Sequence, residues 1–288
     1  MKVVFIFAEG PHDIAYIKLV LELCCNIKHE EYSKISKFPR PINLIFKQLL
    51  KNHTMGDLSL DMVHKFLLPD YVFHTDKHFI MLFNTGGMKN YGFVKRIVSC
   101  VLQEINTQDG SFEVYREDIS FLFTYDADYK TPEKRKEEMK SLLFPIDVND
   151  ACPEDKDTLE TSPSVLLNAS DKSVSFYIWS KDNKSGTLED ILLPIYTKRN
   201  NTLLEKSQEF IDTNFPDKFI FSDEITKTNI ANKSKKIKAC ITIAGQGEKP
   251  SRPLTAIIED NVLADKDAFS SNIKVQEFAN FLHDSLSI

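Results

Sequence analysis

The chain has 288 residues, of which 42% are hydrophobic and 27% charged, and its 36 basic and 42 acidic side chains leave a net charge of −6. Such a composition supports a sizeable core and is too apolar for disorder; at roughly 150 residues per domain it fits one large domain or two modest ones. The acidic balance excludes a protein that coats nucleic acid by bulk charge, and six arginines leave little capacity for guanidinium readout of bases.

Met1 to Ala8 is apolar but is interrupted by Glu9, too early for a secretory signal, and nowhere do about 18 apolar residues run together. Five cysteines, odd in number and without CxxC spacing, fit reduced thiols rather than a disulfide frame or a zinc site. A cytoplasmic protein with no membrane segment is expected.

Lys2 to Ala8, KVVFIFA, predicts a strand buried on both faces, stopped by Glu9-Gly10-Pro11. Asp13 to Leu23 then has helical spacing, with Pro11 suited to a first turn. Residues 28–78 are mixed polar, with helical stretches at Ile45–Lys51 and Leu60–Leu67, and read as a helical insertion. Phe79–Phe83 predicts a second strand, ended by Asn84-Thr85-Gly86-Gly87, and Tyr91–Ile105 a helix. Ile119–Thr124 predicts a third strand, running into Tyr125-Asp126-Ala127-Asp128, and Thr131–Leu143 a charged helix. Asp147 to Ser164 reads as an acidic loop, Val174–Trp179 as a strand, and Thr187–Tyr196, Leu203–Asn214 and Ile273–Ser285 as helices. Alternating strands and helices imply an α/β fold with a mostly parallel sheet and helices on both faces.

Ligands of open α/β sheets sit beyond the carboxyl ends of the strands, and here that edge is acidic. Glu9 follows the first strand; Asp126 and Asp128 follow the third, and in extended backbone they would project to one side. Asp13 lies one helical turn after Glu9. Carboxylates that converge repel one another unless a cation neutralises them, and oxygen donors with open positions suit Mg²⁺ or Mn²⁺. Metal-assisted phosphodiester chemistry is the reaction class this implies, with a lysine offsetting developing charge. Each acid also has a plain structural use, as a cap or a solvated loop residue.

Glu9-Gly10-Pro11-His12-Asp13 and Asp126-Ala127-Asp128 resemble the pattern of the TOPRIM domain, a fold shared by topoisomerases, bacterial primases, the 5S-rRNA maturation nuclease and the nucleases of the overcoming-lysogenization-defect (OLD) family. That pattern is a Glu-Gly after the first strand and Asp-x-Asp after the third; the EGxxD form is similar to the nuclease branches, and Gly86-Gly87 to the family's middle glycine region. Gly186-Thr187-Leu188-Glu189-Asp190-Ile191-Leu192-Leu193 resembles the G-x-LE-xx-L segment of uncharacterised bacterial TOPRIM-like proteins close to the OLD-family nucleases, and Lys238-Ala-Cys-Ile-Thr-Ile-Ala their lysine-bearing region.

The resemblance implies a TOPRIM-like (Rossmann-like) core at 1–27 and 79–196, and a C-terminal extension at 197–288 packed on it. It implies metal ligands Glu9, Asp13, Asp126, Asp128 and Glu189 for about two Mg²⁺ or Mn²⁺ ions, with Glu9 and Lys238 catalytic. Glu189 could equally be a helix N-terminal acid, and Lys238 one member of a solvated lysine run. His12 lies outside the pattern and is left as structural.

Lys134, Arg135 and Lys136, with Lys233, Lys235 and Lys236, are the basic clusters available for phosphate contacts to DNA or RNA. Gly245-Gln246-Gly247-Glu248-Lys249 fails the phosphate-loop spacing, so an OLD-type partnership would need a separate ATPase chain. The function expected is a metal-dependent nuclease, in bacterial defence or repair. The alternative is a non-catalytic partner-binding or regulatory protein on the same scaffold.

Overall fold

The computed structural model describes residues 1–28, 35–51, 68–87, 90–106, 116–146 and 167–286. Five strands form one sheet: β1 (Lys2–Ala8), β2 (Tyr71–His74), β3 (His78–Asn84), β4 (Ile119–Asp126) and β5 (Val174–Trp179), in the order β2-β3-β1-β4-β5. β1 runs parallel to β3 and β4, β4 parallel to β5, and only β2 is antiparallel, paired with β3. The helices are α1 (Pro11–Leu23), α2 (Ile42–Lys51), α3 (Tyr91–Asn106), α4 (Pro132–Leu143), α5 (Leu188–Asn214), α6 (Lys227–Glu248), α7 (Leu254–Glu259), α8 (Lys266–Ser270) and α9 (Ile273–Leu286).

Strand alternation sends the two halves of β1 to opposite cores. Val3, Phe5 and Phe7 pack with Phe83, Phe121, Phe123 and Phe176 beneath α2, α3 and α4. Val4, Ile6 and Ala8 pack with Leu82, Leu122 and Trp179 beneath α1 and the C-terminal helices α5 to α9. The fold is thus α/β and Rossmann-like, with a mostly parallel sheet covered on both faces. After β1 the chain builds β3 on one side of it, and after β3 it crosses to build β4 on the other. The gap between β1 and β4 is therefore the topological switch point, where such sheets open a crevice.

One expectation changes and two are refined. The segment 28–78 is not wholly helical, because its last described part is β2, which zips onto β3 as an edge strand. The two helices expected at 187–196 and 203–214 are both present, joined end to end as α5 across a kink at Asn200, whose backbone leaves helical geometry. Lys238 sits within the 22-residue helix α6, so the lysine-led apolar stretch is helical. The helix expected at Leu60–Leu67 and the loop at Asp147–Ser164 lie outside the described residues.

The helices of the second face are closely apposed. A Cβ on Gly245 of α6 would stand 2.4 Å from Ile257 Cδ1 of α7, so only glycine allows this approach. Cys24, Cys25 and Cys240 are free thiols. No helix among the described residues is long and apolar enough to cross a membrane.

Candidate functional site

β1 ends at Ala8, and the next residue, Glu9, leaves the sheet beside the end of β4, where Ala8 pairs with Thr124. The turn after β3 holds the Glu9 backbone. Thr85 N–H donates to the Ala8 carbonyl at 2.8 Å, and Gly87 N–H to the Glu9 carbonyl at 2.8 Å. Gly86 and Gly87 take positive φ of 69° and 102° there, conformations natural to glycine. The Glu9 carboxylate in turn receives a long bond, 3.4 Å, from the Asp126 backbone N–H.

Two helix starts frame the crevice with the same local chemistry. At α1, Gly10 is the N-cap, and its N–H donates to Asp13 Oδ2 at 2.9 Å. At α5, Thr187 is the N-cap, and its N–H donates to Asp190 Oδ2 at 3.1 Å. In each case the third helical residue reaches back to satisfy a backbone donor that the helix leaves open. Leu188 N–H, also at the start of α5, donates to Asp126 Oδ1 at 2.8 Å, so the last residue of β4 is held against the positive end of that helix.

Gly186 makes this junction possible. It exchanges two backbone hydrogen bonds with Asp128, 2.9 and 2.7 Å. At φ 139° a Cβ there would meet Lys181 N at 2.8 Å.

The charged groups then fall into two sets joined by Glu9. In the first, Asp13, Asp126 and Glu189 are buried against one another, with Lys238 Nζ 3.2 Å from Glu189 Oε1. Ser234, one turn before Lys238 on α6, donates to Glu189 Oε2 at 2.9 Å. His12 Nδ1 lies 3.9 Å from Glu189 Oε1.

In the second set, Arg135 is 1% exposed and gathers the Asp128 loop. Its Nε donates to the Asp126 carbonyl at 2.7 Å, one terminal nitrogen to Glu138 at 2.9 Å, and the other to Asp128 Oδ2.

Burial and mutual repulsion shift the carboxylates upward. Asp126 stands well above the ordinary carboxylate range, first through burial and then through Asp13, Glu189 and Glu9. Burial, reinforced by Glu9 and Glu189, pushes Asp13 up to about 8. Glu9 is raised by burial and by Asp128. Asp128 is raised by burial, against the opposing pull of Arg135 and Lys227. Burial would lower Lys238, but Glu189, Asp126 and Asp13 outweigh it and hold its ammonium above the usual lysine range. Burial and Lys238 together lower His12. These are the signs of acids crowded without enough positive charge.

The donor set suits a hard divalent cation: oxygen ligands, a carboxylate surplus over one nearby lysine, and Asp13 Oδ1 buried without a hydrogen-bond partner. Among the described residues, no three His, Cys, Asp or Glu side chains already converge on one metal-sized point. Repulsion accounts for the spacing, because Asp128 is drawn to Arg135 and Glu189 to Lys238 and Ser234.

Two sequence expectations need correction. Asp126 and Asp128 do not share extended backbone: β4 ends at Asp126, and Asp128 is left-handed with φ 53°. Arg135 is not a surface phosphate contact but the buried brace of the Asp128 loop.

Of the other basic residues, Lys233 pairs with Asp190 at 2.5 Å and Lys236 with Asp212 at 2.5 Å. Lys134 and Lys235 are exposed and Lys136 is half-buried. Ser234 was missed as a site residue, with only its spacing, four before Lys238, as a signal; Arg135 was named as a phosphate contact, its bracing role being camouflaged inside a Lys-Arg-Lys run.

The chain matches no protein-family model and none of the curated proteins compared with it. Among solved structures, the hypothetical protein PH0156 from Pyrococcus horikoshii OT3 is similar in fold. The two share 14% identity, with a TM-score of 0.51 over 99% of this chain and 98% of that one. At this identity the likeness is one of architecture.

Proposed function

We propose that the chain is a metal-dependent hydrolase of nucleic-acid phosphodiester bonds, built on a TOPRIM-like scaffold. The observation that supports this most directly is the crowding of Glu9, Asp13, Asp126 and Glu189 at the switch point, with one buried carboxylate oxygen of Asp13 unpartnered and the Lys238 ammonium alongside. Mg²⁺ or Mn²⁺, held by these carboxylates with Asp128, would supply Lewis acidity and a water nucleophile at neutral pH.

The chain's own groups do the rest. Glu9, between the two sets and raised in pKa, is placed to take a proton from the attacking water. Lys238 offsets charge gathering on the phosphoryl oxygens. Arg135 acts through Asp128, holding its loop in place. His12, outside the family pattern, borders the same crevice through Glu189. A cytoplasmic setting in bacterial defence or repair, with a separate ATPase chain as partner, belongs to the same reading.

A second reading, a non-catalytic partner-binding or regulatory protein, is favoured by one observation: Arg135, Lys238 and Ser234 already engage Asp128 and Glu189.

Purified protein incubated with plasmid, single-stranded DNA and RNA separates the two. Cleavage that needs Mg²⁺ or Mn²⁺ and disappears in Asp126→Ala, with folding retained by circular dichroism, supports hydrolysis. Absence of cleavage with either cation leaves the regulatory reading; undiminished cleavage by the variant overturns the assignment of the carboxylate site.

A further inference from the structure

A groove opens beside the carboxylate site, between the loop joining β5 to α5 and the loop joining α5 to α6. Lys181 and Lys184 line one wall, Phe221 and Ile225 the other, and Lys233 closes the end. That end is tied to the site, because Lys233 pairs with Asp190, the residue after Glu189. Lys238 lies five residues further along α6, roughly 7.5 Å at the helical rise. Resting on the hydrolytic reading above, we propose that this groove seats a single-stranded segment of the polynucleotide substrate and leads its backbone to the carboxylates.

The mix of charge and apolar surface selects a single strand. The segment 215–238 bordering the groove carries six lysines (Lys218, Lys227, Lys233, Lys235, Lys236, Lys238) against three acids, of which Lys233 lines the groove itself. The lysines alternate with aromatic and aliphatic surface: Phe215 is 44% and Ile225 55% exposed, Lys218 lies over the rings of Phe215 and Phe219, and Lys236 over Phe221. Aromatic faces beside lysines are what unpaired bases stack on, whatever their sequence.

The groove also holds Asp182, Asp223 and Glu224. A duplex, held by phosphate charge alone, therefore gains little from it. A strand whose bases also stack on the apolar wall gains more. Lys181 and Lys184 are exposed and form no ion pair among the described residues, which leaves them for phosphate oxygens.

The test is fluorescence anisotropy with a 5′-labelled 12-nucleotide DNA or RNA strand, and with its duplex, in EDTA so that nothing is cut. The single strand is expected to bind more tightly than the duplex. Lys181→Gln/Lys184→Gln should weaken it about tenfold and reduce the slope of log affinity against log salt by about 1.4, at about 0.7 per phosphate contact. Phe221→Ala should cost roughly another tenfold through lost stacking. Ile225→Ser, at an exposed position, repeats that arm should Phe221→Ala melt early.

Equal or tighter duplex binding, or unchanged affinity in the lysine and Ile225 variants, overturns the groove assignment. Cleavage with Mn²⁺ keeps the two ideas apart. A parent that cuts, beside a lysine variant that cuts with unchanged kcat/KM, removes the groove and spares the hydrolytic reading. A parent that binds through the groove but never cuts does the reverse.

Discussion

On one face of the sheet Phe5, Phe7, Phe83, Phe121, Phe123 and Phe176 form a ladder of rings with neighbouring centroids 5.2–6.5 Å apart, sealed by α2, α3 and α4. On the other face, beneath α1 and α5 to α9, Tyr16 OH, Trp179 Nε1, Tyr196 OH and Asp13 Oδ1 are buried without hydrogen-bond partners. The same strands thus carry an aromatic layer, in which Asn43 Oδ1 of α2 is the one unpartnered buried side-chain atom among the described residues, and a layer with several polar groups left over. Unpaired buried groups cost stability, and it is on this second face that the helices bring Glu189, Ser234 and Lys238 over the strand ends.

That contrast can be broken from either side. Asp126→Asn should lower cleavage by at least about a thousandfold, since a misplaced Lewis acid forfeits several kcal/mol of barrier lowering. It should also raise the melting temperature measured in EDTA, because a carboxyl that can be buried among its neighbours only by holding a proton is gone; a fall in that melting temperature would show Asp126 to be structural. Phe121→Ala on the opposite face should cost about 3–5 kcal/mol in urea unfolding and leave the cation dependence of cleavage unchanged. Gly186→Ala forces a Cβ against Lys181 N at positive φ, at about 1–3 kcal/mol, and should weaken Mn²⁺ binding by calorimetry more than a surface substitution of equal cost.

A further test is a pH slope. Asp13 is pushed up to about 8 in the folded chain, against about 3.9 when unfolded. The folded state therefore holds its proton more tightly, and the stability this contributes is complete below pH about 4 and lost as pH rises through about 8. Thermal melts in EDTA should fall across that window. Saturating Mg²⁺, which displaces the proton, or Asp13→Asn should flatten the slope; an unchanged slope in the variant assigns it to other groups.

Much of the fold was legible in the sequence because its strands are continuous apolar runs. β5 lies where Val174–Trp179 placed it, and β1 where Lys2–Ala8 did. β2 was hidden by its length, since four residues ending in His74 carry no period long enough to distinguish a strand. The two helices of α5 were legible because the kink at Asn200 falls where the apolar spacing breaks between 196 and 203. Of the candidate site, the positions of Glu9, Asp126 and Asp128 at strand ends followed from local pattern. The burial of Arg135 did not, because it depends on packing between α4 and the end of β4. The clamp of Ser234 and Lys238 on Glu189 joins residues 45 or more apart, a contact no local spacing encodes.

Gly245 now acquires a meaning beyond close packing. It lies seven residues, two helical turns or about 10 Å, from Lys238, and so on the same side of α6. The missing side chain lets α6 settle on Ile257, and that seating fixes the rotation of the whole rod. A methyl group at position 245 would act as a shim under its far end and tilt the ammonium away from Glu189. The aim of Lys238 is in this sense geared to a contact that touches none of the crevice groups, and position 245 is where it could be adjusted without altering the crevice itself.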